Sequence, residues 1–246
     1  MNLVEVFQDT LKNSEDLLDS MTTKHTFSEI NPARLTMFKP NISVINSDSV
    51  SALVEYSKTG KTCVLNMASY KRPGGGVYNG ARAQEECLFR CSNLIHVVPN
   101  SFYPLQENEA LYTKDAIFFK DKEYDYMDPV ECDVVTIAAL RLHGVIGEDG
   151  KMSYESDVTD YRKITKDKIR LMVSLASKNG VQNLILGAWG CGVFKNDPNL
   201  MSQYFSEVLI GEGYSVDFKN VVFAVINDHN SVGNNYDIFY KNLNNI

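Results

Sequence analysis

The chain has 246 residues, of which 44% are hydrophobic and 22% charged, and its formal net charge is −7. That length holds one large domain with an extension and a full core, in the proportions of an ordinary globular protein. An acidic balance without a basic run argues against direct nucleic-acid binding, and no apolar stretch of about 18 residues offers a membrane span. The N-terminus carries acids where a signal peptide would carry basic residues. The cysteines Cys63, Cys87, Cys91, Cys132 and Cys191 form an odd set without framework spacing. Together these features predict a soluble, intracellular protein with reduced thiols.

Asn2 to about Leu18 reads as an amphipathic helix, with Leu3, Val4, Phe7, Leu11 and Leu17 near helical spacing. Residues 1–40 are taken as an N-terminal helical extension packed on a main domain of residues 41–246. In that domain a strand is expected over 41–46 and a helix over 48–58, with Asp48 or Ser49 near its N-cap. A strand over 62–68 leads into a glycine loop, and a helix over 85–98 follows. Strands are expected over 115–120 and 131–140, then a helix over 161–180 that Gly180 stops. The chain continues with a strand over 183–190, a helix over 196–213 with Pro198 in its first turn, a strand over 221–226 and a short final helix. Apolar strands alternating with helices predict an α/β fold, its largely parallel sheet covered on both faces.

Ligands of such sheets sit beyond the carboxyl ends of the strands. Two glycine-rich segments fall there: Gly74, Gly75 and Gly76 after one strand, and "GAWGCGVF" (187–194) after another. Glycine runs let backbone N–H groups approach an anion, so two such loops on one rim predict a ligand with two phosphates. The "TGKT" at 59–62 is not a Walker loop, because Glu55 stands where the first glycine is required and the segment precedes its strand.

Directly after the first loop, Gln84, Glu85 and Glu86 open a helix. Acids commonly sit in a first turn to complement the helix dipole. Two of them beside a glycine loop at a strand rim point instead to proton transfer on the ligand. Neighbouring helix residues diverge by roughly 100°. The pair therefore cannot straddle a substrate as two opposed glycosidase acids do; one acid would move a proton while the other holds a hydroxyl. A ligand diphosphate would help to keep the acid protonated. Cys87 and Cys91 are read as core packing, and His25, His96, His143 and His229 form no cluster; Lys71, Arg72 and Arg82 near the loop are read as solvated charges, with contact to ligand phosphates as the alternative. No metal or other cofactor is expected.

The "GGG", seven residues, "QEE" pattern resembles the signature of poly(ADP-ribose) glycohydrolases within the macrodomain fold. "LGAWGCGVFKNDP" (186–198) resembles the second loop of the microbial branch, and "VLNMASYKRPGGG" resembles the strand and loop before the signature. The resemblance runs over about residues 40–245. It implies a three-layer α/β/α macrodomain with a mixed, largely parallel sheet. It implies Glu86 as general acid and base, Glu85 on ribose hydroxyls, and Asn66 on the attacked ribose. It further implies a substrate-binding role for Gln84 and a diphosphate cradle of Gly74, Gly75, Gly76 and Val77 with Gly190, Cys191, Gly192, Val193 and Phe194. The Phe194 ring would meet the distal ribose, and the adenine would lie around Phe223 to Asn227. In one place the chain departs: "LRLHG" (140–144) stands where the family commonly has a Pro-Asn element.

The expected activity is hydrolysis of ribose–ribose bonds in poly(ADP-ribose), releasing ADP-ribose, by a monomer acting on ADP-ribosylated macromolecules. A module that only reads ADP-ribose would need the loops but not two acids. Removal of single ADP-ribose units from protein or nucleic acid would use the same residues.

Overall fold

The computed structural model describes residues 1–31, 40–146, 152–227 and 234–244. Its main sheet combines β1 (Met21–Thr26), β2 (Asn41–Ile45), β3 (Thr62–Met67), β4 (Glu109–Lys120) and β5 (Tyr126–Ile137) with two later strands. A separate hairpin pairs β6 (His143–Ile146) with β7 (Met152–Glu155); β8 (Asn183–Leu186) and β9 (Asn220–Ala224) then complete the sheet. The spatial order is β1-β4-β5-β3-β8-β9-β2. The pairs from β5 through to β2 are parallel, while β1–β4 and β4–β5 are antiparallel. The sheet is thus mixed and largely parallel.

Two apolar layers cover it. Along β3, Cys63 and Leu65 pack into one core with Leu171 and Met172 of α5 (Tyr161–Lys178), Met201 of α6 (Pro198–Ser206) and Phe239 of α7 (Asn235–Leu243). Val64 points the other way, as strand alternation requires. It joins Phe7 of α1 (Leu3–Asn13), Leu53 of α2 (Ser49–Ser57), Phe89 of α3 (Gln84–Cys91) and Leu94 of α4 (Leu94–Val97). Asp48 caps α2 by accepting from the N–H groups of Val50 and Ser51, both at 2.9 Å. Gly180 (φ +72°) follows the end of α5, as the sequence predicts.

The differences from the sequence reading have local causes. α1 ends at Asn13 rather than near Leu18. There the Asn13 amide and the Ser14 hydroxyl bond back to carbonyls one turn earlier, competing with helix continuation. The stretch after it adds a strand to the extension: β1 joins the sheet edge, hidden in sequence because "MTTKHT" is nearly all polar. α1 itself is held by the buried Lys120, whose Nζ donates to Asp9 (2.6 Å) and Thr10 (2.9 Å). β4 begins six residues before the predicted strand. A register shift between Thr113 and Ala116, with Asp115 at φ +51°, breaks its alternation. β5 likewise starts earlier and ends at Ile137, β8 ends at Leu186, and the β6–β7 hairpin is an addition. The helix expected over 85–98 breaks at Ser92 and Asn93, where the Asn93 side chain ties Leu17, Ser20 and Ile117 together. The helix over 196–213 turns π-helical from Glu207 to Gly211.

Candidate active site

A cleft of about 860 Å³ opens beyond the carboxyl ends of β3, β8 and β9, a volume suited to a nucleotide-sized ligand. Both glycine-rich segments reach it. Gly75, Gly76, Gln84, Glu85 and Glu86 line one side; Gly190, Gly192, Val193 and Phe194 line the other. Asn66, Gly74, Val77 and Cys191 are not at its surface. Asn66, Val77 and Cys191 are buried, with Asn66 behind Glu85.

The first loop answers why glycines neighbour acids. Its N–H groups serve the protein's own carboxylates. Gly74 N–H donates to Glu85 Oε1 (3.2 Å) and Gly76 N–H to Glu86 Oε1 (2.8 Å). Gly75 N–H reaches the Arg72 carbonyl (3.4 Å), and Val77 N–H donates to the Gly74 carbonyl (2.9 Å). The amides expected to cradle a diphosphate are therefore engaged inside the protein. Gly75 also has to be glycine: at φ +54°, a Cβ would stand 2.6 Å from Glu86 Oε1 and 2.8 Å from Glu85 Oε2.

The carboxyls are further fixed by their helix. Glu86 Oε2 accepts from Ala83 N–H (3.1 Å), the reach-back that a glutamate at the third helical position makes. Glu85 Oε2 accepts from Ser69 N–H (2.6 Å), and Oε1 is 3.5 Å from Asn66 Nδ2. Gln84 pins this helix to β3: its amide donates to the Leu65 carbonyl (2.6 Å) and accepts from Met67 N–H (2.9 Å). Gln84 lines the cleft, yet both ends of its amide are used for structure.

Glu85 and Glu86 are 3% and 7% exposed, respectively. Burial pushes the Glu85 carboxyl up to about 8. The charge of Glu86 adds to the rise, while the N–H groups of Ser69 and Gly74 and the Asn66 amide oppose it. Burial, and then Glu85, also raise the Tyr103 hydroxyl. Among the described residues neither that hydroxyl nor Asn66 Oδ1, both buried, has a hydrogen-bond partner.

The second loop is built differently. Asn196 donates from Nδ2 to the carbonyls of Gly190 (3.0 Å) and Leu140 (2.9 Å), while Tyr161 donates to its Oδ1. Cys191 N–H and Lys195 N–H close turns onto Ala188 and Gly192. Among the described residues, the N–H groups of Gly192, Val193 and Phe194 have no protein acceptor.

The adenine region lies partly elsewhere than expected. Phe223 is a core residue, its ring against Phe205 and Phe239, because it faces away from α3 in the strand alternation. Val225 and Ile226 line the cleft, whereas Asn227 sits outside the lining and bonds Asn234 and Tyr236. Lys71, Arg72 and Arg82 line the cleft and are exposed to solvent there. Arg141, within the departing "LRLHG" segment, lines it too, and sequence reasoning missed it. The Ser69 N–H was also missed, since a backbone donor leaves no sequence signal. Cys87 reaches the cleft while Cys91 is buried. His25, His96 and His143 bond Glu29, Leu11 and Asp157 in separate places; His229 lies outside the described residues. Among the described residues no group of three or more His, Cys, Asp or Glu could hold a metal, and no helix is long and apolar enough to cross a membrane.

The fold and this cleft define a class, the macrodomain-like α/β/α proteins with an acidic helix start beside a glycine loop. Within it, residues 8–121 match the family described as microbial-type PARG, catalytic domain. The match begins inside α1, upstream of where the sequence resemblance was drawn. Poly(ADP-ribose) glycohydrolase from Thermomonospora curvata superposes with a TM-score of 0.82 at 22% identity, covering 98% of each chain. The same enzyme bound to the inhibitor ADP-HPD gives 0.78 at 23%, covering 97% of this chain and 98% of that one. The T267K mutant of the Deinococcus radiodurans glycohydrolase, in complex with ADP-ribose, gives 0.74 at 25%, covering 90% and 93%. Among curated proteins none matches this chain in sequence. The chain has the fold of the bacterial poly(ADP-ribose) glycohydrolases.

Proposed function

We propose that the protein is a poly(ADP-ribose) glycohydrolase, cleaving ribose–ribose O-glycosidic bonds to release ADP-ribose. The observation that carries this is the packing of Glu85 and Glu86 against Gly75, with each carboxylate held by N–H groups of the same loop. A module that only binds ADP-ribose has no need of two buried acids aimed at one cleft. The matched relatives, solved with ADP-ribose and with ADP-HPD, support the same ligand class.

The chemistry follows from the two positions. Glu86 protonates the leaving ribose oxygen as the C–O bond breaks and its electron pair moves to that oxygen. The sugar passes through an oxocarbenium-like centre. Water then adds at that carbon and returns its proton to the Glu86 carboxylate, so one water is consumed and the acid is regenerated. Glu85, its carboxyl pushed up to about 8 by burial, holds ribose hydroxyls. The unengaged N–H groups of residues 192–194 receive the diphosphate, and the half-buried Phe194 ring meets the distal ribose. Five free thiols suit a reducing compartment, so the enzyme acts inside the cell, as a monomer on ADP-ribosylated macromolecules.

The test is incubation with labelled poly(ADP-ribose), mono-ADP-ribosylated protein and mono-ADP-ribosylated DNA in parallel. Release of free ADP-ribose from the polymer is expected. Turnover of only the mono-modified substrates, or binding without turnover, would replace this reading.

A further inference from the structure

The first loop's N–H groups are engaged internally, so a bound diphosphate needs its charge balanced elsewhere. Lys71, Arg72 and Arg82 flank the first loop and its carboxylates, and Lys71 lies over the Tyr70 ring at 5.6 Å. Arg141 belongs instead to the second loop. Leu142 N–H donates to the Phe194 carbonyl (3.0 Å), and Asn196 Nδ2 bridges the Leu140 and Gly190 carbonyls. Behind them Ala139 and Gly190 are so close that a Cβ on Gly190 would stand 2.8 Å from that of Ala139. Residues 139–142 and 190–196 thus form one knitted unit. Arg141 is exposed on it, lines the cleft, and has no acidic partner among the described residues. Next to it stand three consecutive N–H groups without a protein acceptor among the described residues.

We infer that Arg141 is a ligand-binding residue that pairs with the diphosphate of a bound ADP-ribose unit, beside the N–H groups of Gly192, Val193 and Phe194. This rests on the function proposed above. A planar guanidinium gives a phosphate two parallel donors and a permanent charge, which N–H groups alone do not supply. Its carbonyl-anchored neighbours fix the backbone, so the side chain need order only itself on binding. The −7 net charge of the whole protein makes a local cation of this kind matter for an anionic ligand.

The experiment is calorimetric titration of wild type, Arg141→Ala and Arg141→Lys with ADP-ribose at two salt concentrations, with the melting temperature of each ligand-free protein measured alongside. Arg141→Ala should weaken ADP-ribose binding about 10–100-fold and flatten its salt dependence, with Tm unchanged. Arg141→Lys should recover part of the loss. Equal affinity of wild type and Arg141→Ala would overturn the inference and leave the functional reading standing. A weaker affinity with a lowered Tm and no rescue by lysine would also overturn it, since the residue would then act through the fold. If the wild type itself binds no ADP-ribose, the functional reading falls, and this inference with it.

Discussion

The two glycine-rich loops look alike in sequence and do different work. Residues 74–77 turn their N–H groups onto the protein's own carboxylates or back onto the loop. Residues 192–194 leave theirs without a protein acceptor among the described residues. Glycine serves close approach in both, but in the first loop the approaching group belongs to the protein. Under the proposed function, the first loop would serve as a chemical frame and the second as a ligand frame. Substitutions should separate them, with turnover failing on one side and affinity on the other.

The largest effect is expected at the acid that the first loop holds. Glu86→Gln keeps the shape and one accepting oxygen but loses the transferable proton. General acid–base help of this kind is worth about 10²–10⁴-fold. Release of ADP-ribose from poly(ADP-ribose) should fall by that factor, while calorimetric affinity for ADP-ribose stays within a few-fold. A dead Glu85→Gln beside a near-normal Glu86→Gln would reverse the two roles.

The next effect is on pH dependence. The Glu85 carboxyl rises from an ordinary 4.5 to about 8 in the folded protein, chiefly through burial. The folded state thus holds this proton more tightly than the unfolded one. Its contribution to stability is complete below 4.5, declines as pH rises toward 8, and then levels off. The slope in that window is on the order of 1 kcal/mol per pH unit. Urea melts at pH 5, 6.5 and 8 should show the decline in wild type and a flatter profile in Glu85→Gln. Parallel profiles for the two proteins would mean that Glu85 is ionised throughout.

Much of this arrangement could be read before any coordinates. Strands such as β3 and β9 are short apolar runs bounded by polar turns, and the two acids adjoin the glycines in sequence, so the sheet, its rim and the place of the two acids beside the glycine loop were legible. Three things were not. β1 hides because an edge strand needs no apolar alternation, and β4 hides in part because its bulge near Asp115 breaks the period. The assignment of loop N–H groups hides because it depends on where α3 sits against β3, which the Gln84 amide fixes across 17 residues of chain. Arg141 escaped for the same kind of reason: its place is set by the bonds of its neighbours Leu142 and Leu140 to Phe194 and Asn196, more than 50 residues away.

A smaller effect tests the chemical frame through its backbone. Alanine at Gly75 would have to adopt a left-handed conformation, at a cost of about 1–2 kcal/mol, and its Cβ would displace both carboxylates. Gly75→Ala should lower kcat about 10–100-fold and change ADP-ribose affinity by only a few-fold. If affinity collapses while kcat at saturation is kept, the loop holds ligand after all and the contrast between the two loops is lost.

The smallest effect should mirror it on the other side. Gly190 has φ +77°, and a Cβ there would stand 2.6 Å from Asn196 Nδ2. Asn196 is the residue that holds Leu140, Gly190 and Phe194 in register, with Tyr161 bonded to its other end. Pushing it aside loosens the segment that carries the three unengaged N–H groups, yet touches neither Glu85 nor Glu86. Gly190→Ala should therefore weaken ADP-ribose binding about tenfold, close to 1.4 kcal/mol, and raise KM for the polymer. At saturating polymer, kcat should stay within about twofold, because an interaction made equally with substrate and transition state alters KM alone. Titration and steady-state kinetics on the same preparation read both quantities. Should Gly190→Ala lower kcat as steeply as Gly75→Ala does, the second loop also shapes the transition state, and the division between chemical and ligand frames would not hold.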